Sequence, residues 1–180
     1  AAAGGRRALR VAVPLAATVW AYDFLLKETV FGPAAMAAAR TLDVLLGAGG
    51  ARPALAAALT VGAHTYAVTA LSRSEVDGAK PALPAATLAA TAGVGIAAGR
   101  GGLLSSALLG TYAVTTGGAQ YDAVRDPAAG KVRRAVGAGI HGMIPLQAGL
   151  IARTGAWRSA LAVAAAFPFA RALGRKVSPT

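Results

Sequence analysis

The sequence predicts an all-α, multi-pass transmembrane bundle of about seven membrane segments, forming one membrane-embedded domain over residues 1–180. Three observations carry that reading. Apolar runs rich in Ala, Leu and Gly recur along the whole chain, with the polar residues confined to short junctions between them. Only 14% of the residues are charged, against about 25% in an ordinary soluble domain, so a surface of normal polarity cannot be built. Finally, Ala-rich runs with few β-branched residues favour helix over strand.

Taken in order, the apolar runs cover 8–26, 32–46, 53–71, 84–99, 102–116, 135–152 and 157–170. A membrane-spanning helix needs about 20 residues, with about 17 as a lower limit. Several runs fall short alone, the second and the last in particular, and would be extended by flanking residues, shielded by neighbours or partly re-entrant. Gly93, Gly95, Gly137 and Gly139 are expected to let helices approach closely, as membrane bundles require.

Eighteen Lys and Arg stand against seven acids, a net charge of +11. A nucleic-acid-binding protein would gather its bases on one polar face. Here they sit in small groups between apolar runs, which fits anionic lipid headgroups and not nucleic acid. If the 72–80 loop is cytoplasmic, ten basic residues fall inside and seven outside, Arg6, Arg7 and Arg10 being three of the seven. Cysteine is absent, so there is no disulfide framework or thiolate metal site.

The stretch 63–80, AHTYAVTALSRSEVDGAK, turns from an apolar run into alternating charge at Arg73, Glu75, Asp77 and Lys80. Two carboxylates with access to water can bind Mg²⁺, which keeps several waters and takes phosphate oxygens as further ligands. Flanking cations can hold the same phosphates. The same pattern also describes a solvated loop at a membrane edge. Arg40 and Asp43 lie inside the second run at i,i+3 and so on one helix face. They line a cavity where Arg40 meets an anionic headgroup, or they neutralise each other as an ion pair. A charge near mid-bilayer costs about 2.5–3.5 kcal/mol on an insertion scale, so either arrangement must offset it. Tyr121, Asp122 and Asp126 form a second acidic group that could bind a metal or pair with Arg125 and Lys131.

His64 and His141 sit within apolar runs without a third ligand at a useful spacing, and are read as hydrogen-bonded interior residues. The GAGIHG stretch at 137–142 has the letters of a dinucleotide fingerprint, but no strand precedes it and it lies inside an apolar run, so it is read as helix packing.

The strings AYDFLLKETVFGPAAMAAARTLDVLLGAG, HTYAVTALSRSEVDG, VRRAVGAGIHGMIPLQAGL and ALGRKVSPT together resemble the UbiA family of intramembrane prenyltransferases, and most of all its bacterial branch with EboC-type proteins. The resemblance implies the C-terminal two-thirds of a UbiA-type fold in a bacterial cytoplasmic membrane. It implies Mg²⁺-dependent transfer of a polyprenyl group from its diphosphate to an acceptor. Glu75 and Asp77 would bind the metal, while Tyr22, Lys27, Arg40, Arg73 and Lys80 would hold the substrate. The chain departs from the family at identifiable points. Tyr22 and Lys27 are one residue further apart than usual, Asp43 replaces an Asn, and Arg73 stands where an Asp is usual. The chain has no Asn, so the family's first acidic motif is expected upstream of Ala1. The thinned second motif also suits a non-catalytic UbiA-like subunit that binds isoprenoid lipid or assists its transport.

Overall fold

The computed structural model describes residues 5–177, with side chains as far as Gly174. Its described residues are helical with no strand. The helices are α1 (Gly5–Ala21), α2 (Gly32–Gly47), α3 (Leu55–Ser72), α4 (Ala82–Ala98), α5 (Leu103–Tyr112), α6 (Gly118–Arg125), α7 (Ala129–Ala152) and α8 (Trp157–Val177). A π-helical turn, Tyr22–Leu26, prolongs α1, and another, Ala113–Gly117, joins α5 to α6 without a break. Each expected apolar run therefore appears as helix. The fifth runs well past its expected end at Thr116, because helix continues through residues too polar to count as membrane span. Arg175, Lys176 and Ser178, which entered the orientation and family arguments, lie outside the described side chains.

Local sequence sets the boundaries. Pro33 opens α2 and Pro53 opens the turn leading into α3, at helix starts where a missing N–H costs nothing. Between α1 and α2 the chain reverses tightly. The Thr29 and Gly32 amides donate to the Leu26 and Thr29 carbonyls at 2.9 and 3.1 Å. A Cβ on Gly32 would stand 2.8 Å from the Lys27 carbonyl oxygen, so this turn needs glycine.

The structure falls into two compact units, one ending at Arg73 and the other beginning at Ser74. In the first, α2 packs against both α1 and α3. In the second, α7 is the central helix, packed against α5, α6 and α8, while α4 lies against α6 and the Ala113–Gly117 turn. The cores are built from small residues and a few large ones: Val61, Leu71 and His64 in the first unit, and Tyr112, Gln120, Val132 and Leu146 in the second.

Three helical stretches are long and apolar enough to cross a membrane: Gly5–Leu26, Arg52–Ser72 and Ala129–Ala152, with Ala82–Ala98 apolar but shorter. Along the first of these, Leu9, Val13, Val19, Trp20, Phe24 and Leu25 are all exposed. Large apolar side chains in a continuous exposed band fit a lipid environment.

Three of the four glycines expected to admit a neighbouring helix do not do so. A Cβ added at Gly93, Gly95 or Gly137 would meet nothing within 4 Å; of the four, Gly139 is the buried one. Instead Gly62 admits Thr41, Gly142 admits Thr116, and Gly149 lies where a Cβ would come within 2.8 Å of Leu109. Lipid offers little hydrophobic drive for helix association, so such close approaches carry much of the packing. Gly95 and Gly137 instead line surface grooves of the second unit.

Candidate functional site

In the first unit, α1 and α2 leave a groove of about 310 Å³ between them. Helical spacing produces its two walls. Leu15, Val19, Tyr22 and Asp23 succeed one another on one face of the first rod, and Met36, Ala39, Arg40 and Asp43 on one face of the second. The π-turn begins at Tyr22 and so sets the aim of Tyr22 and Asp23; such turns are uncommon and concentrate at functional positions. The groove thus combines apolar side chains with one phenol, one guanidinium and two carboxylates, Tyr22 and Asp23 toward the Gly32 turn and Asp43 toward the other end.

Arg40 and Asp43 line this groove and also pair with each other. Arg40 Nη1 donates to Asp43 Oδ2 at 3.4 Å, with the side chains 53% and 56% exposed. That single long bond engages one of the five guanidinium N–H groups. The others remain available to a bound molecule. With two carboxylates against one guanidinium, the formal charge of the groove is −1.

Tyr22 and Arg40 are therefore brought together, while Lys27 and Arg73 are not part of this groove. Lys27 follows the π-turn, its amide donating to the Tyr22 carbonyl at 2.9 Å and its side chain exposed. Arg73, just past the end of α3, donates to the Thr29 carbonyl at 2.7 Å and so braces the α1–α2 turn.

Glu75, Asp77 and Lys80 belong to the second unit. Glu75 and Asp77 share one turn, closed by the Gly78 amide donating to the Ser74 carbonyl at 3.0 Å. Gly78 has φ +81°, a left-handed conformation natural to glycine, and a Cβ there would stand 2.8 Å from the Pro127 carbonyl. The same carbonyl accepts from the Ala79 amide at 3.0 Å, which pins the turn to the start of the segment before α7. Partial burial raises the Glu75 carboxyl above its ordinary range, and the nearby Arg133 guanidinium pulls it partly back. Asp77 and Lys80 are exposed.

Among the described residues, no group of three or more His, Asp or Glu side chains is close enough to share a metal ion. Glu75 and Asp77 offer two carboxylates on one turn. This suits Mg²⁺ only when waters and phosphate oxygens complete its octahedral shell. Asp122 lies on α6, and Asp126 Oδ1 accepts from the Ala128 amide at 3.3 Å, steadying the entry to α7.

Of the two histidines read as interior, only His64 is so; His141 is half-buried and faces a groove. His64 is buried, and His141 Nδ1 lies 2.8 Å from the Gly137 carbonyl within the unbroken α7. Sequence reasoning missed three features: the part of Asp23 in the groove, the two π-turns, and Gln120. Gln120 is fully buried on α6, and neither its amide oxygen nor its nitrogen has a hydrogen-bond partner. The i,i+4 and i,i+7 pattern running from Leu15 to Tyr22 and from Met36 to Asp43 was the available signal for the groove. Nothing in the sequence marks a π-turn.

No family model, curated protein or solved structure matches this chain.

Proposed function

We propose that the chain is a membrane-embedded, UbiA-like helical protein that binds a polyprenyl lipid in the α1–α2 groove, in the cytoplasmic membrane of a bacterium. The observation that carries this is a groove between α1 and α2 lined by apolar side chains (Leu15, Val19, Met36, Ala39) beside polar ones (Tyr22, Asp23, Arg40, Asp43). An isoprenoid chain would lie along the apolar residues. Its head would accept from Arg40.

Charge decides which head suits the groove. Two carboxylates against one guanidinium disfavour a bare diphosphate, so a neutral polyprenol head suits it better unless a divalent cation accompanies the diphosphate.

Prenyl transfer is the second reading, favoured by the single turn that carries both Glu75 and Asp77. In this reading the substrates are a polyprenyl diphosphate and an acceptor. Glu75 and Asp77 would hold Mg²⁺, while Tyr22, Lys27, Arg40, Arg73 and Lys80 would position the substrate. Bound Mg²⁺ would supply Lewis-acid stabilisation of the charge on a departing diphosphate. The protein's own part would be to orient the diphosphate through these cations and to keep water from the allylic carbon.

The test uses full-length protein purified in neutral detergent and titrated with a short-chain polyprenol and with its diphosphate, each with and without Mg²⁺. Polyprenol binding that Arg40→Ala and Val19→Asp weaken supports the groove. Equal binding by both variants and the unmutated protein refutes it. Transfer of label from the diphosphate to any acceptor, lost in Glu75→Gln/Asp77→Asn, would establish the second reading over the first.

A further inference from the structure

The second unit carries a groove of the opposite charge. It measures about 350 Å³ and is lined by Thr115, Arg134, Gly137, Ala138, His141, Phe167, Arg171 and Gly174. Register explains it. Arg134, Gly137, Ala138 and His141 fall at i, i+3, i+4 and i+7 along α7, and Phe167, Arg171 and Gly174 at i, i+4 and i+7 along α8, so each helix turns one stripe to the groove. Thr115 comes from the Ala113–Gly117 π-turn.

Three details organise these groups. The Arg171 guanidinium lies over the Phe167 ring, 5.6 Å from its centre, which fixes the cation while leaving its N–H edge free to donate. His141 Nδ1 faces the Gly137 carbonyl at 2.8 Å. A carbonyl only accepts, so Nδ1 carries the proton and Nε2 is the free ring position. Gly174 makes room for that edge: a Cβ there would stand 3.0 Å from Nε2.

No carboxylate lines the groove, and among the described residues no acid lies within ion-pair distance of Arg134 or Arg171. Two guanidinium groups facing one cleft repel each other unless an anion lies between them. Guanidinium matches phosphate oxygens in a bidentate fork. The walls beside the cations are apolar (Gly137, Ala138, Phe167), and α7 is one of the stretches long and apolar enough to cross a membrane. We propose that the α7–α8 groove is a binding site for the phosphate of an anionic lipid headgroup, held by Arg134 and Arg171.

The experiment titrates the full chain in neutral detergent with dioctanoyl phosphatidic acid, dioctanoylglycerol and inorganic phosphate. Saturable binding of phosphatidic acid is expected, at least tenfold tighter than that of the other two. Arg134→Gln/Arg171→Gln should weaken it at least tenfold, Arg134→Lys/Arg171→Lys should keep more of it, and Arg158→Gln should leave it unchanged. Size-exclusion profiles of all variants establish that the fold persists. Equal affinity for inorganic phosphate would overturn the lipid assignment. Equal binding of dioctanoylglycerol, or equal weakening by Arg158→Gln, would overturn the site.

Discussion

Arg73 Nη1 donates to the Thr29 carbonyl at 2.7 Å, tying the end of α3 to the turn between α1 and α2. A charged donor on a carbonyl contributes about 1.5–3 kcal/mol when sheltered, and nearer 1 at an exposed position such as this. Arg73→Ala should therefore lower the unfolding free energy in detergent by about 1 kcal/mol, with Arg73→Lys between the two. Hydrogen exchange should rise locally at Thr29 and Gly32. Unchanged exchange in that turn would show that the bond does not brace it.

Arg40 and Asp43 separate energetics from binding. A half-exposed i,i+3 pair contributes about 0.3–0.5 kcal/mol, so a double-mutant cycle on stability should give no more than that. Arg40→Ala should nevertheless weaken polyprenol binding several-fold, while Asp43→Asn should improve binding of the diphosphate form by lowering the negative charge of the groove. A large coupling on stability with no effect on either ligand would make the pair purely structural.

The raised pKa of Glu75 has a definite sign. The folded state holds that proton more tightly than the unfolded chain, so the group favours folding at pH below its unfolded value and loses that contribution as pH rises through its folded value. Thermal melts should show Glu75→Gln matching the unmutated protein at acid pH and equalling or exceeding it near neutrality. Arg133→Gln removes the cation that restrains the shift and should move the Glu75 titration further upward, read by ¹³C carboxyl NMR. Movement downward would contradict the arrangement.

Gln120 is fully buried in the second unit with both atoms of its amide unpartnered. A buried amide with neither atom partnered costs about 1–3 kcal/mol, so Gln120→Leu should raise stability by about that amount. A fall in stability would mean that the amide has a bound partner, and would make Gln120 the place to look for one.

How legible this was depends on what each signal measures. Apolar run length located every helix except α6, because Ala and Leu in succession favour helix. It placed the fifth end too early, since Gln120, Asp122 and Arg125 lower hydropathy without disfavouring helix. Arg40 and Asp43 were legible as a pair from their spacing alone. Their sharing a groove with Tyr22 and Asp23 depends on how α1 meets α2, which spacing within one helix cannot give. The glycine expectation failed for a related reason: whether a glycine faces a neighbour or open space is set by the rotation of its helix, and Gly62 and Gly142 gave no stronger local signal than Gly93 or Gly95.

The turn at Ala113–Gly117 has a consequence for tolerance to chain shortening. A π-helical turn holds one residue more than an α-helix needs for the same advance, so it acts as slack in an otherwise taut rod. Removing one residue within it should let α5 and α6 close into continuous α-helix with both keeping their facing sides. The same deletion at Leu108 would swing everything downstream by about 100°, the rotation per residue of an α-helix. That would carry Tyr112 and Gln120 out of the interior. The rod is thus indifferent to its length at one place and intolerant a few residues away.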